Sequence, residues 1–128
     1  MQTPTVQTYA EAAHLWTTTR RRKLANNTYL ERIDDPNGGR PSYAVRLHRT
    51  NVVTYHPDGS IVLDSGGWQT VTTKARMNAH TPPAVSVWQD RHEWYVGVRV
   101  SSREDGQRWN YADGFTLDAE TLADAVPA

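Results

Sequence analysis

Two adjacent glycines, three threonines and two cations fall within the short run Gly66-Gly67-Trp68-Gln69-Thr70-Val71-Thr72-Thr73-Lys74-Ala75-Arg76. Such a run could hold an anion. A strand end, a glycine corner and a helix start present unpaired backbone N–H groups. The hydroxyls of Thr70, Thr72 and Thr73 and the charges of Lys74 and Arg76 would complete a phosphate site. The spacing is not that of a P-loop, which needs Gly-x-x-x-x-Gly-Lys-Ser/Thr. A purely structural reading competes: Gly66 and Gly67 make a tight turn, Trp68 plugs the core and Thr70 caps a helix. The anion reading requires Lys74 and Arg76 to point back toward the first turn of that helix.

Other reactive side chains form no recognisable constellation. Ser65, between Asp64 and Gly66, resembles a nucleophile elbow, but Gly-x-Ser-x-Gly is absent and no histidine is placed to act as its base. His48 and His56 fall on separate strands near Asp58 and Asp64, without metal-ligand spacing. The chain has no cysteine, which excludes disulfides, thiolate zinc sites and a thiol nucleophile and suits a reducing cytoplasm. No catalytic residue, metal or cofactor is therefore expected, and an enzyme is disfavoured. Two surface clusters remain. Arg20, Arg21, Arg22 and Lys23 form a basic patch that either contacts phosphate or lies at a solvated helix end. Trp88, Trp94 and Tyr95 gather at one hairpin tip, as a stacking platform or as cross-strand packing.

These residues must be positioned by a single small domain. The chain has 128 residues, with 14 basic and 14 acidic side chains that cancel. Overall charge therefore steers it toward no polyanion or membrane. Residues 1–60 carry eight Lys/Arg against five Asp/Glu, and residues 101–128 carry two against six. That asymmetry suits either a partner surface or contact between the chain's own two ends. Neither a signal peptide nor an apolar run of about 20 residues is present, so a cytoplasmic protein without a membrane segment is expected. Residues 1–7 and 126–128 are expected to be disordered tails.

The pattern predicts an α+β fold of about six or seven strands in antiparallel hairpins, with an N-terminal helix and one short helix after the glycine corner. Thr8-Tyr9-Ala10-Glu11 has the form of a capping box, and Tyr9, Ala12, Ala13 and Trp16 recur at helical spacing. Strands are predicted over 27–33, 43–48, 52–56, 61–64, 85–89, 94–100 and 109–117. The loop Pro57-Asp58-Gly59 suits a type I turn with a bulge, which pairs Tyr55 with Ile61 and Val53 with Leu63. Val52 then falls on the opposite face from Val53. Closing the later hairpin through Asp90 to Glu93 pairs Val85 with Val98, Val87 with Val96 and Gln89 with Trp94. Asp105-Gly106 is read as a turn. Thr70 to about Asn78 should be a helix with Trp68, Val71 and Ala75 toward the core, and Asp118 should cap a short C-terminal helix.

Asn26-Asn27-Thr28-Tyr29-Leu30, the run from Leu47 to Thr54, and above all Asp58 to Asn78 resemble a family of small proteins encoded by bacteriophages of actinobacteria. The run Tyr111-Ala112-Asp113-Gly114-Phe115-Thr116-Leu117 shares the likeness, which spans roughly residues 23–117. The resemblance implies a phage accessory protein in the cytoplasm of an infected bacterium and carries no catalytic residue or cofactor with it. Two functions follow as expectations. One is a non-catalytic module that engages a host or phage protein, or a second copy of itself. The other is a nucleic-acid- or nucleotide-binding module using the glycine corner with Lys74 and Arg76.

Overall fold

Turn chemistry and strand alternation set most of the topology. The computed structural model describes residues 6–20, 22–101 and 103–126, and for 103–105 the backbone alone. Arg21 of the basic cluster lies outside the described residues, as do 1–5 and 127–128 of the expected tails. Helix α1 (Tyr9–Thr18) begins where predicted: the Thr8 side chain accepts from Glu11 N, and the Glu11 carboxylate accepts in return from Gln7 N at 3.0 Å. Its Ala12 is buried, and Tyr9 and Trp16 lean on Tyr43 with ring centroids 5.4 and 6.2 Å away.

Among the described residues, nine strands form two antiparallel sheets. The larger has the order β1-β2-β3-β4-β5-β9, built from β1 (Lys23–Ala25), β2 (Thr28–Ile33), β3 (Ser42–Leu47), β4 (Thr50–Tyr55), β5 (Ile61–Leu63) and β9 (Phe115–Leu117). The smaller has the order β6-β7-β8, from β6 (Val85–Asp90), β7 (Glu93–Val100) and β8 (Arg103–Asn110). The strand count exceeds the expectation because Lys23–Ala25 pairs as an edge strand and the segment read as one strand over 109–117 divides between the two sheets. Both predicted hairpin registers are present, with Val53 opposite Leu63 and Tyr55 opposite Ile61, and Val87 opposite Val96. Asp105 and Gly106 do not form a turn. They lie within β8, where Gly106 takes φ 73° beside a register shift.

Val52 departs from the alternation. It and Val53 are both buried, because a bulge pairs Val45 with Val53 but Arg46 with Asn51, which leaves Val52 as an extra residue. Val6, at the end of the expected N-terminal tail, is 1 % exposed. Its carbonyl accepts from Tyr55 Oη at 3.2 Å and lies 2.9 Å from His80 Nδ1. A carbonyl partner places a proton on Nδ1, and burial lowers the His80 pKa further than the Val6 bond raises it, so the ring stays neutral.

Helix α2 (Val71–Ala79) packs against β4 and β6, with Thr70 as its N-cap as expected. Its rotation differs from the prediction. Trp68 and Val71 are 71 % and 78 % exposed, Ala75 is exposed too, and Thr73 and Met77 are buried in their place. Thr73 can be buried because Thr70 Oγ1 satisfies both its N–H and its hydroxyl, each at 3.1 Å. Helix α3 (Ala119–Ala123) is capped by Asp118.

Candidate functional site

The glycine corner joins β5 to α2, and its backbone N–H groups already face carboxylates. Gly66 N donates to Asp64 Oδ1 at 2.7 Å. Ser65 N and Ser65 Oγ donate to Asp113 Oδ1 at 2.9 and 2.6 Å, and Gly67 N reaches Asp113 Oδ2 at 3.3 Å. Tyr111 Oη adds a fourth donor to Asp113 at 2.6 Å. Burial acting alone would raise the Asp113 pKa, but the donors from Ser65, Tyr111 and Gly67 outweigh it and hold the carboxyl below its usual range. Burial and the neighbouring carboxylate push the Tyr111 phenol up. The corner thus binds an anion supplied by its own chain.

The two cations expected at the corner turn elsewhere. Lys74 Nζ donates to Gln89 Oε1 at 3.2 Å and lies 5.5 Å from the Trp94 ring centroid. Arg76 Nε donates to the buried Thr28 Oγ1 at 2.8 Å. Gly66, Gly67, Thr70 and Thr73 are brought together, whereas Lys74 and Arg76 point to the other sheet and to β2. Thr72 stays exposed near the helix start.

The clusters expected at the surface separate in the same way. Arg22 folds back on α1: its Nη2 donates to the Trp16 carbonyl at 2.9 Å and its Cζ lies 3.8 Å from the Trp16 ring centroid. Arg20 and Lys23 are exposed. Of the three rings at the hairpin tip, Trp94 is buried against Tyr111 and does not join Trp88 and Tyr95. Strand alternation is the reason, since Trp94 and Tyr95 point to opposite faces. His56 Nδ1 is hydrogen-bonded to Ser42 Oγ at 2.8 Å. Among the described residues no group of three or more His, Asp or Glu side chains could hold a metal ion. None of the helices they form is long and apolar enough to cross a membrane.

A groove of about 560 Å³ opens beside the corner. Leu47, Val52, Ser65 and Thr73 are buried beneath it, and the exposed His48, Arg49, Trp68, Thr70 and Thr72 line its rim. Its features arise from three local choices. His48 takes φ 54° in the tight turn between β3 and β4, the Val52 bulge adds an apolar side chain, and Gly66 and Gly67 at φ 62° and 84° swing Trp68 outward. Sequence periodicity missed this groove, because it placed Trp68 inside and Val52 on the other face. The tight turn at His48-Arg49 was visible only as a break between strands.

Fold and site define a small two-sheet α+β protein organised around an internally satisfied glycine corner. The chain belongs to the family described as Kyanoviridae Gp96 protein, whose model matches residues 7–118. Neither a curated protein nor a solved structure matches it. The family is one of phage proteins and takes its name from cyanophages, whereas the resemblance pointed to phages of actinobacteria. Phage origin is common to both.

Proposed function

We propose that the protein is a non-catalytic phage accessory module that engages a host or phage protein through the groove at the glycine corner, in the cytoplasm of the infected bacterium. The observation that carries this reading is Trp68. A tryptophan that is 71 % exposed beside an apolar-floored groove is of the residue type that dominates protein interfaces. Val71, at the start of α2, is exposed as well. A nucleotide held in the corner by Lys74 and Arg76 draws less support, since two carboxylates occupy the corner amides and both cations face elsewhere.

The test is affinity capture from infected cells with the wild-type chain and with Trp68→Ala, each with and without nuclease. The expected result is a protein partner that survives nuclease and added salt and is lost with Trp68→Ala. That loss corresponds to about 2 kcal/mol or more for an interfacial tryptophan. The thermal midpoint should barely move, because an exposed side chain contributes within about 0.5 kcal/mol. If the partner is a second copy, the solution mass halves in the variant. Retention of the partner by Trp68→Ala, or capture of nucleic acid alone, overturns the reading.

A further inference from the structure

The face of the three-stranded sheet turned away from the core carries two stacked rings and two cations that make no ion pair among the described residues. Register sets Trp88 beside Tyr95 and Ser86 beside Gly97, with Asn110 and Arg108 next to these on β8. Val85, Val87, Trp94, Val96 and Val98 alternate with them and are buried, so the first set shares the outer face. The rings of Trp88 and Tyr95 lie 5.8 Å apart at 26°. Gly97 accounts for their pose: a Cβ there would come within 2.8 Å of Trp88 Cζ3, so the indole lies directly against the bare glycine. Both rings are half-buried, Trp88 lying against Gly97 and beside Tyr95. The Arg108 guanidinium is 5.3 Å from the Tyr95 ring centroid. Arg99 and Arg108 are exposed and make no ion pair among the described residues. With Trp88, Ser86 and Gln107 they border a hollow of about 320 Å³, while Asp90 and Glu93 sit at the turn end of the hairpin.

We propose that this face binds single-stranded nucleic acid, with unpaired bases stacking on Trp88 and Tyr95 and backbone phosphates meeting Arg99 and Arg108. Partly exposed rings can stack with any base, because every base has a π face. A duplex hides those faces and is refused. The two guanidiniums match the charge of a phosphate backbone. The carboxylates at the turn repel it, so the strand crosses the sheet away from Arg91-His92. Ring and phosphate contacts ignore the sugar, so DNA and RNA strands are equally good ligands. The surface is distinct from the Trp68 groove, and neither proposal depends on the other.

Cross-strand rings also stabilise a hairpin with no ligand, so binding must be read separately from folding. The full chain is titrated into labelled oligothymidylate, oligouridylate and a duplex of matching length, about ten nucleotides each, followed by fluorescence anisotropy. Both single strands should bind saturably, and the duplex at least about tenfold more weakly. Affinity should fall about sevenfold between roughly 50 and 200 mM salt, as two phosphate contacts require. Trp88→Leu should weaken binding by about fivefold to a hundredfold. Because that variant disturbs the packing on Gly97, the double variant Arg99→Gln/Arg108→Gln provides the second arm. Both of its side chains are exposed, so its thermal midpoint should match the wild type while binding and its salt dependence are lost. Trp68→Ala should bind as the wild type does. The proposal is overturned by no saturable binding of either strand, by equal binding of the duplex, or by a double-arginine variant that binds like the wild type.

Discussion

The carboxylate of Asp113 accepts hydrogen bonds from Ser65 N, Ser65 Oγ, Gly67 N and Tyr111 Oη. Bonds to an ionised acceptor are the stronger kind. Because these donors depress its folded pKa, Asp113 contributes stability that is present above the ordinary carboxylate range and lost as pH falls through the depressed value. Asp113→Asn should therefore cost about 1–3 kcal/mol near neutral pH, toward the lower end because the carboxylate is partly open to water. The variant's stability, read from urea denaturation, should also fall less steeply than the wild type's as pH drops below about 4. A variant as stable as the wild type with the same acid slope would remove Asp113 from this role. The sequence shows Asp113-Gly114 only as an interruption in a strand. No rule of periodicity or turn chemistry links a residue to a corner 48 positions earlier, and so periodicity alone leaves the corner's anion to come from outside the chain.

At the scale of elements, the hairpins and the extent of the helix after the corner were legible, and the rotation of that helix was not. Tyr55, Val53, Ile61 and Leu63 must share a face, and only one loop geometry lets them, so Pro57-Asp58-Gly59 dictates the register. Helix α2 lacks that constraint. Its threonines suit either side, since a buried Thr73 finds its partner one turn away in Thr70, and the apolar spacing of Trp68, Val71 and Ala75 then points to the wrong side. The orientation of α2 follows from the corner, where the two glycines are not equivalent. Gly66 sits at φ 62°, and a Cβ added to it would lie 2.8 Å from Thr50 Cγ2, whereas Gly67 at φ 84° faces open space. Gly67→Ala should cost about 1 kcal/mol for the left-handed backbone. Gly66→Ala should cost about 2–4 kcal/mol, because overpacking is added. Thermal denaturation of the two variants checks the order, and equal losses would mean that Thr50 yields without penalty.

Across the whole molecule, one buried cluster runs from Val6 and α1 through both sheets to Leu117 on β9. Composition and alternation point to a single α+β unit. They do not reveal that its strands split into a six-stranded and a three-stranded sheet, because the pairing of β5 with β9 joins strands separated by α2 and the whole second sheet. Non-local pairs of this kind cost loop-closure entropy and form late. The amides of Ser65 and Gly67 are therefore expected to gain protection together with β9, after the β4–β5 hairpin. Pulse-labelled hydrogen exchange during refolding reads this directly, and protection of Gly67 alongside Val53 would contradict it.

The same dependence bears on the protein's birth. The hairpins of the larger sheet can close as the chain leaves the ribosome, but the corner that holds Trp68 outward stays open until residue 113 has been synthesised. A truncated product, however well its hairpins fold, is expected to lack the finished groove.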